Sequence, residues 1–345
     1  MSQINIAVIG AGRIAHSHFA GLLNLPQCYR YAICDPCEDG RAEKLKEQYG
    51  VEKACADYKE LIGDPKVDAV IVTTPDHSHC EIASAFLRDG KPVLLEKPMA
   101  LKKEDCEELL KVSKETGTML MVGQVCRYNH NFVQAKKLIE TGALGDLVFV
   151  ESEYAHSYEL NPGTGNWRVH PDREAIIGGG CHAIDLLRWI AGNPTEVSAY
   201  ANHKYLPDWP VNDTTVAIYK FPNDVIGKVF CSIGVKRAYT MRTVIYGSEG
   251  TIITDNTSDT ISLFRNKVGG ELESFGIPNQ TMELKIPVAI ASHNMTEEIR
   301  DFINCINNDL APDPDGRQGF CTVAVCDAIV RSAATGEKIE IDYTI

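Results

Sequence analysis

The run Ile4-Asn5-Ile6-Ala7-Val8-Ile9 leads without interruption into Gly10-Ala11-Gly12-Arg13-Ile14-Ala15. No other feature constrains the chain as much: a strand, a G-x-G-x-x-A turn, then Ile14, His18 and Leu22 at helical spacing. Gly10 permits the tight turn, Gly12 lets main chain approach a pyrophosphate, and Ala15 lets the helix pack close to the strand. The unpaired N–H groups at the helix start, around Arg13 and Ile14, would face that anion. Asp35 ends the second strand, where a carboxylate binds an adenosine ribose and repels a 2′-phosphate. The expected cofactor is therefore NAD, with NADP disfavoured.

The same texture continues to Gly123. Strands expected at Tyr31–Cys34, Val67–Thr73, Val93–Leu95 and Met119–Val122 alternate with helical patterns, the signature of a parallel sheet wound on both sides. Ligands of such sheets lie beyond the carboxyl ends of the strands. That places Thr73, Thr74, Pro75 and His79 of one loop, and Glu96 and Lys97 at a later strand end, among the expected cofactor contacts. For the Thr73–His79 loop, an ordinary strand-to-helix link with Asp or Ser as cap accounts for the residue types as well. Cys34 and Cys37 form a C-x-x-C with no second pair nearby, so no metal is expected.

After Arg127 the periodicity changes. A helix at Phe132–Glu140 precedes short strands at Leu147–Tyr154, Val197–Ala201, Thr214–Phe221, Val225–Val235, Arg242–Tyr246, Thr251–Thr254 and Thr260–Phe264. Turn residues between them imply a mostly antiparallel sheet, with late helices at Thr296–Asn307 and Phe320–Ala334 expected to cover one face. The fold class is α/β, divided into a dinucleotide-binding domain at 1–123 and a second α/β domain at 124–345. Two domains suit a chain of 345 residues, at about 150 per domain.

Charge narrows the partners. Lys plus Arg number 34 against 47 Asp plus Glu, a net charge of −13, and both halves are acidic without a basic cluster. Nucleic acid and anionic membrane surfaces are not expected partners. No apolar run approaches the roughly 20 residues of a membrane span. A core strand starting at Ile4, with no basic n-region ahead of it, implies no secretory signal. Twelve cysteines, among them Cys34, Cys126, Cys231 and Cys326 in apolar segments, suit buried small side chains in a reducing compartment. The expected location is the cytoplasm.

Six motifs then occur in order: Gly10–Ala15, Thr74–His79, Glu96-Lys97-Pro98, Gly123–Tyr128, Trp167-Arg168 and Gly178–Asp185. In order and spacing, over nearly the whole length, the sequence resembles the Gfo/Idh/MocA family, the glucose-fructose oxidoreductase and inositol dehydrogenase relatives. The resemblance implies a Rossmann domain followed by an α/β domain whose open sheet serves substrate binding and assembly into a homodimer or homotetramer. It also implies a nicotinamide cofactor and oxidation of a sugar, sugar-derivative or cyclitol carbinol. Lys97 falls on the family's catalytic lysine and His182 on the histidine that shares the substrate hydroxyl. Removing hydride from a carbinol carbon requires a base for the hydroxyl proton, and a neighbouring nicotinamide would lower the Lys97 pKa.

One departure stands out: many relatives carry Asp four residues before this histidine, and here the position is Gly178. Asp185, one helical turn after His182, is the candidate to support the imidazole in its place. Tyr154, His156, Trp167 and Arg168, around the loop Asn161–Asn166, combine stacking faces with hydrogen-bonding groups. Together with Arg127 and His182 they are the expected substrate contacts. The resemblance leaves two further readings open. One is a redox-neutral enzyme that cleaves glycosides by oxidation, elimination and reduction. The other is a non-catalytic sensor of dinucleotide and sugar.

Overall fold

The computed structural model describes residues 3–266, 281–290 and 293–345. The N-terminal half follows the alternation of its sequence: β1 (Ile4–Ile9), α1 (Arg13–Leu23), β2 (Cys28–Cys34), α2 (Arg41–Tyr49), β3 (Lys53–Cys55), β4 (Ala69–Val72), α3 (His79–Arg88), β5 (Val93–Glu96), α4 (Lys103–Thr116) and β6 (Leu120–Gly123). The strands form one parallel sheet in the order β3-β2-β1-β4-β5-β6. Helices on both faces explain why β4, Ala-Val-Ile-Val, is apolar at every position and wholly buried. The order reverses between β1 and β4, which opens a crevice beyond their carboxyl ends.

The second half contains α5 (His130–Glu140), β7 (Leu147–Ala155), α6 (Ala175–Gly178), α7 (Cys181–Ala191), β8 (Glu196–Asn202), β9 (Thr214–Lys220), β10 (Ile226–Ser232), β11 (Thr243–Gly247), β12 (Thr251–Thr254), β13 (Thr260–Asn266), β14 (Thr281–Pro287), α8 (Met295–Asn308), α9 (Gly316–Thr335) and β15 (Ile339–Glu340). Its strands order as β14-β13-β12-β11-β7-β10-β9-β8-β15. Every pairing is antiparallel except β7 with β10. Alternation decides which side is core. Along β9, Ala217 and Tyr219 point under α6, while Val216 and Ile218 point outward. Helices α5, α6, α7 and α9 cover the inner face. The outer face exposes Tyr200 (82%), Ile218 (55%), Ile226 and Tyr246.

The helix α8 corrects the sequence expectation that both late helices cover this sheet. It packs instead on α1 of the N-terminal half, where Gly21 leaves the space: a Cβ there would lie 3.0 Å from Ile299 Cδ1. The helix α9 bridges the halves, touching β8 on one side and α4 and β6 on the other. The helix α9 thus ties the two sheets together, while α8 holds α1 against the turn at Val125–Tyr128. No helix among the described residues is long and apolar enough to cross a membrane.

Candidate active site

A cavity of about 1060 Å³ follows the carboxyl ends of β1, β2, β4 and β5 and continues into the second domain. At its N-terminal end Gly10 has φ +104°, and a Cβ on it would lie 2.8 Å from the Thr73 carbonyl and the Thr74 nitrogen. Glycine is therefore required there on two counts. The Thr73 hydroxyl donates to the Gly10 and Ile9 carbonyls (2.7 and 3.0 Å), which pins the two strand ends together. Gly12 differs: a Cβ on it would meet nothing within 4 Å, so the main chain borders open space at the start of α1. Asp35 accepts from the Ala11 and Cys37 nitrogens (2.7 and 2.9 Å), which fixes the carboxylate at the crevice wall. An open glycine turn, a helix N-terminus and a held carboxylate fit a dinucleotide.

The EKP strand end is built from beneath. Glu96 accepts from His18 Nε2 (2.9 Å) and from the Lys97 nitrogen (3.1 Å). Burial opposes its charge, but His18 and Lys97 outweigh burial and hold Glu96 below the usual carboxylate range. His79 lies between the Pro98 carbonyl at Nδ1 (2.9 Å) and the Thr74 carbonyl at Nε2 (3.0 Å), joining the two cofactor loops. At Lys97 the chain's own groups act in opposite directions. Burial lowers its pKa, yet Cys181, Tyr158 and Glu96 together leave it above the ordinary lysine range. The chain's own groups therefore favour the ammonium form.

All the expected cofactor contacts, Gly10, Gly12, Arg13, Ile14, Asp35, Thr73, Thr74, Pro75, His79, Glu96 and Lys97, line this one cavity. So do Tyr154, His156, Trp167, Arg168 and His182. His182, in the first turn of α7, sits with Nδ1 at 3.2 Å from Cys126 Sγ. Burial first, then Lys97 and His293, push its pKa well below the ordinary histidine value, so the imidazole is neutral at neutral pH. Its ring lies near that of Tyr154, centroids 6.0 Å apart, and the Tyr154 hydroxyl meets that of Tyr158 at 2.7 Å. Glycines make this crowding possible. A Cβ on Gly179 would meet the Tyr154 ring at 2.5 Å, and one on Gly163 would meet Trp167 Nε1 at 2.4 Å.

Two expected site residues are placed otherwise. Asp185 does not support His182; its carboxylate takes Arg127 Nε and Nη2 (both 2.8 Å), Thr322 Oγ1 (3.1 Å) and Arg188 Nη1 (3.4 Å). Two guanidinium groups outcompete an imidazole for a buried carboxylate. Arg127 correspondingly does not line the cavity. It is buried against Asp185 and also reaches Asp313 (2.8 Å), tying the domain junction to α7 and to the loop before α9.

Sequence reasoning passed over Tyr158, Arg173, Tyr239 and His293, which all line the cavity. Tyr239 and His293 stack, with centroids 5.6 Å apart and rings 2° from parallel, but they come from loops flanked by no motif. Arg173 did leave a signal, standing five residues before Gly178. A Cβ on Gly178 would lie 2.3 Å from Arg173 Nη1. A guanidinium fills the space that a side chain at position 178 would need. Arg173 Nε donates to Asp76 Oδ2 (2.6 Å) across the crevice.

Comparison with known proteins agrees with this construction. Residues 4–124 match the oxidoreductase family with an NAD-binding Rossmann fold, and residues 132–253 match the GFO/IDH/MocA C-terminal domain. The myo-inositol 2-dehydrogenase of Thermotoga maritima is 27% identical over 354 residues, spanning 99% of this chain and 100% of its own. An uncharacterised oxidoreductase of Schizosaccharomyces pombe is 30% identical over 262 residues, 73% of this chain and 71% of its own. Among solved structures, a levoglucosan dehydrogenase in complex with NADH and levoglucosan superposes with a TM-score of 0.90 at 22% identity, covering 99% of this chain and 100% of that one; this likeness speaks to the fold. The crevice, its glycine turn and the domain behind it are those of the Gfo/Idh/MocA oxidoreductases, the family to which this chain belongs.

Proposed function

We propose that the protein is an NAD-dependent dehydrogenase acting on a carbinol carbon of a sugar, sugar derivative or cyclitol. The observation that carries this reading is the convergence of Lys97 and a neutral His182 in one cavity with the dinucleotide turn. The names of relatives point the same way, to inositol and levoglucosan dehydrogenases.

When bound, NAD supplies the hydride acceptor. The turn at Gly10–Ile14 and the loop at Thr73–Pro75 would hold it, and Asp35 would receive the ribose hydroxyls. Lys97, as an ammonium backed by ionised Glu96, donates to the substrate oxygen and stabilises negative charge on it. His182 accepts the hydroxyl proton. With Nδ1–H given to the Cys126 sulfur, its Nε2 is left free for that proton. Neighbouring Tyr154, His156 and Tyr239 offer ring faces and hydrogen-bonding groups to a polyol. The open apolar face of the large sheet is the surface for a homodimer or homotetramer, and the all-free cysteines suit the cytoplasm.

The test is formation of reduced nicotinamide from NAD with pooled polyols, aldoses, uronates and glycosides. A rise confined to one pool is expected. Lys97→Met should lower kcat about 10²- to 10⁴-fold while NAD still binds. The acid limb of kcat/KM should fall below pH 6.5, the ordinary value for histidine, because burial keeps His182 neutral. Consumption of a glycoside without net reduced cofactor would replace this reading with redox-neutral cleavage, and failure to bind NAD would end it.

A further inference from the structure

The reacting end of the cavity carries two guanidinium groups over one indole. The Arg168 and Arg173 Cζ atoms lie 4.4 and 4.8 Å from the Trp167 ring centroid. Their partners differ. Arg173 is buried and committed, with Nε on Asp76 (2.6 Å) and Nη2 on the Gly178 carbonyl (3.3 Å). Arg168 gives one hydrogen bond to a neutral group, Asn161 Oδ1 at 3.2 Å, and no carboxylate among the described residues lies within ion-pair distance of it. Burial pulls its pKa down and nearby Arg173 adds to the effect, as for a cation short of a counter-charge.

The remaining charges do not supply one. At this end Lys97, Arg168 and Arg173 face Asp76 and Glu96; Asp76 gives Oδ2 to Arg173 and has no partner for Oδ1 among the described residues, Glu96 is taken by His18, and neither carboxylate lies within ion-pair distance of Arg168. Nor is there room for another acid at position 178, where a side chain would collide with Arg173. Three cations of the lining, Arg13, Lys97 and Arg168, have no carboxylate within ion-pair distance among the described residues; Arg13 stands at the dinucleotide turn and Lys97 at the reacting oxygen, which leaves Arg168 for an anionic group of the substrate.

We propose that the substrate carries a carboxylate and that Arg168 binds it, which makes the substrate a sugar acid, a uronate or an aldonate. The inference rests on the dehydrogenase reading above and narrows it. A guanidinium stacked on an aromatic face presents parallel N–H donors that match the two oxygens of a carboxylate. A planar carboxylate matches one guanidinium, whereas a phosphate monoester brings up to two charges to it.

The experiment is binding to the protein–NADH complex, read by the change in NADH fluorescence. Glucuronate, galacturonate, gluconate and mannonate are each set beside the uncharged sugar or alditol counterpart, with glucose 6-phosphate as a further arm. At least one acid should bind tenfold or more tightly than its counterpart. Arg168→Gln should erase that preference and Arg168→Lys should restore only part of it, both with NADH affinity within twofold of the parent. The proposal is overturned if no acid exceeds its counterpart, if Arg168→Gln keeps the preference, or if the phosphate ester binds most tightly. The parent comparison decides the matter even if a variant fails to fold. Absence of NADH binding would instead defeat the dehydrogenase reading itself, a distinguishable failure.

Discussion

Asp185 and Glu298 both carry carboxyl groups with no exposure to solvent, yet their surroundings are opposite. Asp185 is surrounded by donors: two from Arg127, one from Arg188 and one from Thr322. Glu298, on α8 beneath the EKP strand end, has no partner for either oxygen among the described residues. Burial first, then the charge of Glu96, raises its pKa well above the ordinary value, against a smaller opposing effect of Lys97, so it stays protonated. Equal burial leaves one carboxyl ringed by donors and the other a neutral acid with none. What decides the outcome is the supply of donors.

The largest effect should come from stripping the donor-rich carboxylate. Asp185→Asn leaves Arg188 buried without a carboxylate and Arg127 with Asp313 alone, and should cost about 3–5 kcal/mol of stability in denaturant unfolding. Adding Arg127→Met should cost less than the two single changes summed, because each removes the other's penalty. Strict additivity would mean the pair does not act as a unit.

Next in size is Glu298→Gln. A carboxyl whose folded pKa is raised contributes fully below its unfolded value near 4.5 and loses that contribution as pH climbs through the folded value. Since glutamine does not titrate, the variant should gain on the parent from pH 5 to pH 8, by up to about 1.4 kcal/mol per unit over the window between the two pKa values. A stability difference that is flat with pH would show that Glu298 ionises normally. The smallest effect belongs to an exposed pair, Lys102 with Asp172 at 3.1 Å. Asp172→Asn should leave the unfolding midpoint unmoved, and a clear drop would mean that solvent screens this pair less than its exposure implies.

The sequence carried much of this unevenly. The parallel sheet was legible because its strands are buried on both faces and read as apolar runs between helices. The strand β3 has three residues, too few for a pattern. The strand β14 does alternate at Met282, Leu284 and Ile286, but it lies largely exposed and stood outside the assigned strands. Dinucleotide contacts were legible because one short motif brings them together. The partner of Asp185 was not, since helical spacing pointed to His182 three residues away while Arg127 reaches it from 58 residues upstream. Arg173 likewise answers to Asp76, 97 residues before it. Ion pairs closed by the fold leave no local trace in the residues that form them.

Gly178 and Arg173 have a consequence for how such a chain changes over generations. Aspartate placed at 178 alone would evict the guanidinium and strip Asp76 of its partner, whereas losing the arginine alone would open a void beside a stranded acid. The empty α-carbon of one residue is therefore the seat of another's charge, and the two positions can change only as a pair.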